Sequence, residues 1–432
     1  MKPAYPLLLL LALGTFACTT TRRTVSPENP LDSLFRSPGF AHHHVGFALY
    51  DPAAKRMLYE RQADRYFVPA SNTKLFTFYA GLCVLGDSVP ALRYRADGDS
   101  LVLWGTGDPS LLHPDLPPSA VFDFLKARPE RLVFSTQNFV QPPYGPGWAW
   151  DDYNDDYQPE LTPLPLYGNV LRFRPDRAGR WQPALGYFRR YLAYDSALVA
   201  VRRNLTTNLF TLPTAPARPA AVQDVPYLTS PELTVQLLAD TLKRRVSLRP
   251  VSFDPAAKTL YGLPTDTLYR RMLRVSDNLL AEQIMLLVAG AQGDTLSVPR
   301  GIGLMLKNHL ADLPDAPRWV DGSGLSRYNL FTPRSLVALL EKIREKVPQE
   351  RLFALLPAAG QPGTLRNQFR GQAPFVFAKT GSLTGVYNLS GYLVARGGRV
   401  LVFSFMNNNF AGPTSAVRRD VERVLTAVRD RF

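Results

Sequence analysis

The chain has 432 residues, of which 46% are hydrophobic and 20% charged, a composition typical of globular proteins with a sizeable core. This length predicts two or three domains. The formal net charge of +14 would suit a nucleic acid, but the basic residues are scattered and accompany no nucleic-acid-binding motif. We therefore expect no nucleic acid partner, and an anionic envelope surface is a sufficient destination for the basic charge.

The first residues have the pattern of an export signal. A basic residue precedes an apolar run at residues 7–13, which has the length of a signal-peptide core. Ala17 stands directly before Cys18, as a small residue does before the lipidated cysteine of bacterial lipoproteins. We expect a signal peptide over residues 1–18 and a flexible tether over residues 19–40. Plain secretion and a lipid anchor to the membrane through Cys18 both fit this start, and either one predicts a periplasmic or cell-envelope protein.

Hydrophobic periodicity and turn residues predict an α+β protein. The predicted strands, in chain order, cover residues 45–50, 57–59, 100–104, 131–135, 170–173, 375–380, 389–395 and 400–406. The predicted helices cover residues 70–86, 231–242, 278–289, 333–347 and 414–431. The simplest assembly pairs the first two strands with the last three in one antiparallel sheet. The closing helix would pack on that sheet, and the helix that begins near residue 70 would lie beneath it.

Ser71 and Lys74 are the first residues that suggest chemistry. They are three apart at the start of a predicted helix and therefore share a face. The apolar residues that follow would bury the lysine, and lost hydration lowers the pKa of its amine. A neutral amine beside a hydroxyl is a general base beside a nucleophile. Alone the signal is weak, because Ser-x-x-Lys occurs about once by chance in a chain of this length.

Two further motifs lie downstream of this pair, SDN at residues 276–278 and KTGS at residues 379–382. With the Ser-x-x-Lys motif they resemble the active-site set of penicillin-binding proteins and class A β-lactamases. Each short motif alone has a bland interpretation, as a helix cap or as a strand that enters a turn. The occurrence of all three motifs in this order is much less probable by chance.

Most of the chain resembles one family, the D-alanyl-D-alanine carboxypeptidase/endopeptidases of serine peptidase family S13, which are low-molecular-mass class C penicillin-binding proteins. Beyond the motifs, the resemblance is carried by WGTGDPSL at 104–111, GWAWDD at 147–152, SDNLLAE at 276–282 and DGSGLSR at 321–327. It extends from about residue 46 to the end of the chain.

The resemblance implies a fold and a domain division. The fold is α/β (α+β), a serine β-lactamase/transpeptidase-like domain whose antiparallel five-stranded sheet is flanked by helices. This catalytic domain would be built from residues 41–91 and 228–432. A mostly β inserted region would occupy residues 92–227.

The resemblance and the residue chemistry together give each motif a role. Ser71 would be the nucleophile and Lys74 the base that accepts its proton. Ser276 would relay a proton toward the leaving amine, and Asn278 would hold Lys74 or the substrate amide. Lys379 would bind a substrate carboxylate and oppose protonation of Lys74. The other substrate-binding residues on the same strand would be Thr380, Gly381 and Ser382.

The sequence therefore predicts an exported penicillin-binding serine D-Ala-D-Ala carboxypeptidase/endopeptidase that acts on peptidoglycan stem peptides through an acyl-enzyme on Ser71. The endopeptidase activity would cut cross-links whose scissile bond also follows a D-alanine. The expected partners are those peptides and β-lactam antibiotics as covalent inhibitors, and no cofactor or metal is implied. A β-lactamase or related serine hydrolase of the same fold is one alternative, and a non-catalytic peptidoglycan-binding scaffold is another. The large insertion and the 321–327 stretch favour the S13 interpretation over the β-lactamase.

Overall fold

The computed structural model of the protein describes residues 31–36, 38–371 and 373–432, so the predicted signal peptide lies outside the described residues. The α-helices are α1 (Asp32–Phe35), α2 (Lys74–Val84), α3 (Ala120–Ala127), α4 (Pro231–Leu242), α5 (Thr265–Arg274), α6 (Asn278–Ala291), α7 (Val298–Asn308), α8 (Pro333–Lys346), α9 (Gln349–Leu355) and α10 (Thr414–Arg431). The strands are β1 (His44–Asp51), β2 (Arg56–Arg61), β3 (Ser88–Asp97), β4 (Ser100–Gly105), β5 (Arg131–Ser135), β6 (Val170–Pro175), β7 (Trp181–Pro183), β8 (Leu192–Asp195), β9 (Arg202–Arg203), β10 (Phe210–Pro213), β11 (Gln223–Pro226), β12 (Val246–Leu248), β13 (Lys258–Pro264), β14 (Val376–Leu383), β15 (Val386–Val394) and β16 (Val400–Asn408).

The main sheet joins the two ends of the described chain, as the sequence predicted. Its strands lie in the order β14-β15-β16-β1-β2, and every neighbouring pair is antiparallel. β1 pairs with β16, so that Phe47 lies opposite Phe405. β14, which carries the KTGS motif, is an edge strand. The outer edge of β14 is hydrogen-bonded to residues 357–359 as far as Ala378, and the backbone of the KTGS part beyond it is available to a peptide ligand.

Helices cover both faces of the main sheet. On one face α10 buries a stripe of apolar residues, as the spacing in the sequence predicted. This stripe consists of Val417, Val421, Val424, Leu425 and Val428. On the other face α2, α6 and α8 form the largest apolar core with the sheet. The start of α2 is thereby held next to β14.

A second sheet of five strands lies in the inserted region, in the order β12-β5-β4-β3-β13. β5 pairs in parallel with β4 and β12, while β3 pairs antiparallel with β4 and β13. Two three-stranded sheets, β8-β10-β9 and β11-β6-β7, belong to the same region. Because β12 and β13 follow residue 227, this pairing extends the inserted sheet to Pro264. The division at residues 92 and 227 stays a prediction, and we propose boundaries near 88 and 264 from the strand pairing.

The described part of the expected tether packs on the main sheet. Leu31, Phe35 and Phe40 are buried in the core beneath α10. The ring of Phe35 stacks on Tyr59 with 5.6 Å between the ring centroids. Folded structure therefore includes residue 31, before the end of the segment that the sequence assigned to a tether. Among the described residues, no helix is long and apolar enough to cross a bilayer.

Candidate active site

Ser71 lies in a short 3-10 helix, Ala70–Thr73, that runs directly into α2. The sequence predicted a helix start near residue 70, and the α-helix itself begins at Lys74. Ala70 has a φ of +47°, a left-handed conformation that is unfavourable for a residue with a side chain. Such strain persists only where the surrounding structure holds the backbone in place.

The strand β14 packs very closely against the 3-10 helix that carries Ser71, which we call the nucleophile turn. A methyl group at Gly381 would stand 2.4 Å from the carbonyl oxygen of Pro69, so only glycine permits the contact. The buried side chain of Asn72 donates from Nδ2 to the carbonyl oxygen of Lys379 at 2.6 Å. It also accepts the hydroxyl of Ser390 at 2.9 Å. These contacts fix the distance between the nucleophile turn and the KTGS strand.

Lys74 is fully buried and its Nζ has three partners. It lies 3.0 Å from the Oγ of Ser71, 2.6 Å from the Oδ1 of Asn278 and 2.8 Å from the carbonyl oxygen of Ser323. Asn278 and Ser323 each offer an acceptor, so they engage two N–H groups of a neutral amine. The remaining lone pair then faces the Ser71 hydroxyl, which is the geometry that a general base requires.

Burial lowers the pKa of Lys74 to about 8, and the nearby carboxyls of Asp321, Glu282 and Asp277 oppose this shift. Lys379 is also fully buried, and burial lowers its pKa well below the usual range. The charge of Lys74 lowers the pKa of Lys379 further. The sequence predicted repulsion between these two amines. In the structure burial is the main cause of the lowered pKa at both lysines, and repulsion between the two amines acts in the same direction.

Ser276 and Lys379 meet on the other side of the cleft. Lys379 donates from Nζ to the Oγ of Ser276 at 2.9 Å and to the carbonyl oxygen of Thr380 at 2.7 Å. Ser276 has a φ of +64°, so its backbone is strained. Asp277 follows as the N-cap of α6 and accepts from the N–H of Leu280 at 3.0 Å. The cap fixes the direction in which α6 begins.

Asn278 is the first residue of α6, and hydrogen bonds at both Nδ2 and Oδ1 fix the orientation of its side-chain amide. Its Nδ2 donates to the carbonyl oxygen of Tyr157 in the inserted region at 3.0 Å. Its Oδ1 therefore points to Lys74. The structure thus brings Ser71, Lys74 and Asn278 together, in line with the first of the two roles that the sequence left open for Asn278.

Glu282 and Asp321 were not identified as site residues in the sequence. Glu282 lies four residues after Asn278 on the same face of α6, and it accepts the N–H groups of Gly322 and Ser323 at 2.9 and 2.7 Å. Asp321 accepts the N–H of Ser326 at 2.7 Å and the indole N–H of Trp148 at 3.0 Å. These two buried carboxyls hold the loop whose Ser323 carbonyl contacts Lys74. Glu282 is the single acidic residue of the mostly apolar α6, and this feature of the sequence could have identified it.

Burial and the charge of Asp321 raise the pKa of Glu282 to about 8. We expect Glu282→Ala to lower the free energy of unfolding by about 3 kcal/mol, because two buried N–H groups lose their acceptor. Urea denaturation measures this loss, with Glu345→Ala as a control at an exposed position of α8. A loss no larger than that of the control would contradict a supporting role for Glu282.

Ser71 opens onto a cleft with a volume of about 790 Å³. Ser276, Thr380 and Ser382 line the same cleft, whereas Lys74 and Lys379 are buried behind its wall. The hydroxyls that the sequence assigned to carboxylate binding therefore face the same space as the nucleophile. Gly381 faces the nucleophile turn and contributes close packing.

The fold and this arrangement of side chains are those of a serine acyl-transfer enzyme. The model of the D-Ala-D-Ala carboxypeptidase 3 (S13) family matches residues 28–182 and 232–430, and the chain belongs to this family. The resemblance that the sequence carries is thereby confirmed, as is the prediction that the protein is an enzyme.

Curated relatives and a solved structure agree with this assignment. A D-alanyl-D-alanine carboxypeptidase from an Actinomadura species is 28% identical over 488 aligned positions, which cover 98% of this chain and 89% of the relative. The D-alanyl-D-alanine carboxypeptidase DacB of Haemophilus influenzae is 26% identical over 430 positions, covering 85% and 86% of the two chains. The crystal structure of penicillin-binding protein 4 (dacB) from Haemophilus influenzae has a TM-score of 0.74 at 19% identity. It covers 93% of this chain and 100% of that one, and it confirms the fold class.

Proposed function

We propose that the protein is a serine-type D-Ala-D-Ala carboxypeptidase that acts on peptidoglycan stem peptides through an acyl-enzyme on Ser71. The observation that carries this proposal is the 3.0 Å contact between Lys74 Nζ and Ser71 Oγ, with the other Lys74 contacts made to Asn278 and Ser323. Family membership supports the D-Ala-D-Ala substrate. β-Lactams, which carry a carboxylate beside a reactive amide, would acylate the same serine.

In the acylation step, Ser71 Oγ bonds to the carbonyl carbon of the penultimate D-alanine while its proton passes to Lys74 Nζ. The C–N bond then breaks, and the proton held by Lys74 passes through the hydroxyl of Ser276 to the leaving amine, which leaves Lys74 neutral again. The developing oxyanion would accept from the N–H of Ser71 and from one N–H of β14, and each such donor contributes about 3 kcal/mol to transition-state stabilisation.

In the deacylation step, water gives a proton to the neutral Lys74 and attacks the acyl carbon. The Ser71–acyl bond breaks, Ser71 recovers its proton, and the shortened peptide leaves as a carboxylic acid. The terminal carboxylate of the substrate would lie against the hydroxyls of Thr380 and Ser382, with the amine of Lys379 behind them. The negative charge of a bound carboxylate would favour the protonated form of that amine, which burial alone disfavours. These groups explain why a free carboxylate would be required next to the scissile bond.

Two assays test this function on the purified protein. A fluorescent penicillin should label it covalently, and it should release D-alanine from a stem pentapeptide. Failure of both would contradict the proposal and favour a non-catalytic scaffold. Fast hydrolysis of penicillin without release of D-alanine would instead favour a β-lactamase.

The pH dependence of acylation tests the role of Lys74. A base accepts a proton only when it is neutral, so the penicillin acylation rate should rise as pH increases and level off above about pH 8, the pKa of Lys74. Below this value the rate should fall about tenfold per pH unit. Thermal unfolding at each pH checks that the protein stays folded. A rate that is constant between about pH 6 and about pH 9 would exclude Lys74 as the titrating base.

We further propose that the protein is exported to the cell envelope, where the stem peptides of the cell wall are found. The pattern of residues 1–18 supports a signal peptide, and Cys18 supports a lipid anchor. Labelling of cells with radioactive palmitate should mark the protein, and Cys18→Ser should remove the label. Periplasmic protein without any label would favour plain secretion.

A further inference from the structure

The active-site cleft extends beyond Ser382 to a group of three arginines, Arg366, Arg418 and Arg419, all of which are exposed and line it. Within the described chain, no carboxylate lies at ion-pair distance from any of the three guanidinium groups. Of the described residues that line this cleft, Glu422 is the single acidic one, and its Oε1 accepts the N–H of Phe369 at 2.6 Å. The space beyond Ser382 is therefore positively charged.

Tyr387 connects these arginines to the carboxylate-binding strand. It lies opposite Ser382 in the pairing of β15 with β14. The guanidinium carbon of Arg418 stands 5.3 Å from the centre of the Tyr387 ring. The hydroxyl of Tyr387 donates to the Oε1 of Gln368 at 2.7 Å, two residues from Arg366. The side chain of Tyr387, next to Ser382, thus contacts Arg418 of α10 directly and contacts the loop that carries Arg366 through Gln368.

The arginines beside Ser276 and Asn278 form a contrast. A separate cavity there contains Arg172, whose guanidinium group pairs with Asp115 and Asp224 at 2.7 Å. The second arginine in that cavity, Arg271, pairs with Asp115 at 3.1 Å and with Asp277 at 3.0 Å. The guanidinium groups of Arg172 and Arg271 are therefore already paired with carboxylates of the protein itself. The guanidinium groups of the three arginines beyond Ser382 have no hydrogen-bond or ion-pair partner among the described residues, so their donors are available to a ligand.

We propose that Arg366, Arg418 and Arg419 bind a second carboxylate on the leaving group of the substrate. This inference rests on the proposed function, in which the first carboxylate lies at Thr380 and Ser382. A free D-alanine has no second carboxylate. A cross-linked stem peptide leaves through the amine of a diamino acid, and further carboxylates remain on that leaving strand. The arginines therefore favour cleavage of cross-links over removal of a terminal D-alanine.

Guanidinium groups suit this task because they present paired donors to a carboxylate. The test uses two peptides that end in D-Ala-D-Glu and D-Ala-D-Gln, whose leaving groups have nearly the same shape and differ by one charge. For the unmodified protein we expect kcat/KM to be about fivefold higher for D-Glu at low salt, in keeping with exposed charge pairs. This preference should shrink at about 0.5 M salt, which screens exposed charges.

The double variant Arg418→Gln/Arg419→Gln should bring the D-Glu to D-Gln ratio close to one, while Arg418→Lys should retain part of the preference. Arg431→Gln, at an exposed position of α10 outside the cleft, is the matched control and should keep the full ratio. Each preparation is normalised by the fraction that a fluorescent penicillin labels, so misfolded protein is not counted.

A ratio of one or less in the unmodified protein would overturn the inference, and so would an unchanged ratio in the double variant. Protein that takes up penicillin and cleaves both peptides at equal rates would overturn this inference alone. Protein that neither takes up penicillin nor cleaves either peptide would overturn the proposed function together with it.

Discussion

Ser71→Ala is expected to abolish the covalent penicillin adduct and to lower kcat for D-alanine release by about 10⁵-fold. The reason is that the acyl group bonds to Ser71 Oγ, and alanine has no atom that can take its place. What activity remains would come from substrate binding and the oxyanion donors alone. Mass spectrometry of the penicillin adduct and a D-alanine release assay measure the two losses.

A matched control for this variant is Ser196→Ala, because Ser196 is exposed in the inserted region. It should keep both the adduct and the activity. Circular dichroism and thermal unfolding should show that Ser71→Ala is folded, since within the described residues the Ser71 side chain makes a single hydrogen bond, to Lys74. A penicillin adduct on folded Ser71→Ala would show that another residue is the nucleophile.

The second large effect is expected for Lys74. Lys74→Met removes the amine at nearly constant side-chain length, and the acylation rate should fall about 10³-fold, the usual contribution of a positioned base. Lys74→Arg should be equally slow, because a guanidinium group stays protonated at every working pH and cannot accept the serine proton. The pair of variants separates base catalysis from simple charge stabilisation. Stopped-flow acylation by penicillin measures both rates.

Stability has to be measured beside these rates. In Lys74→Met the acceptors on Asn278 and Ser323 lose their donor, which costs about 1–3 kcal/mol for each buried group. Lys307→Met, at an exposed position of α7, is the control and should change neither rate nor stability. If Lys74→Arg acylates within about tenfold of the unmodified protein, a group other than Lys74 must accept the proton.

The elements with the strongest periodicity were predicted well from the sequence. α10 begins and ends at the residues that its apolar stripe indicated, Thr414 and Arg431. The five strands of the main sheet were correctly grouped in one antiparallel sheet, because alternating strands from the two chain ends fit such an arrangement, whereas their order came from the structure. α5 was missed, although Leu268, Tyr269, Met272 and Leu273 have helical spacing. The strands β3 and β13 were missed as well, since their pairing joins residues that are far apart along the chain.

The tether and the inserted region show a different limit of sequence reasoning. The polar, proline-containing start indicated a tether up to residue 40, yet Leu31 and Phe35 are buried. Leu31, Phe35 and Phe40 are too few to give a periodic signal, and their burial depends on the sheet that they cover. In the same way, Val246–Leu248 joins the inserted sheet only because β5 offers a parallel edge.

The sequence by itself determined the chemistry of this protein. Ser71, Lys74, Ser276 and Lys379 have reactive groups whose kind and order along the chain already indicate the active site shared by penicillin-binding proteins and class A β-lactamases. Such information is local, because each motif combines a functional group with the backbone that presents it. The resemblance to family S13 follows from these motifs together with the stretches at 104–111, 147–152, 276–282 and 321–327.

Only the tertiary structure decided which groups surround the reactive ones. Lys74 has its lone pair directed at Ser71 because Asn278 and Ser323, more than two hundred residues away, accept its N–H groups. Glu282 acts on the same amine through a loop, and Arg418 reaches the neighbourhood of Ser382 through Tyr387. Burial and distance set the pKa values and the charge of the cleft, and both depend on how β14, α6 and α10 pack.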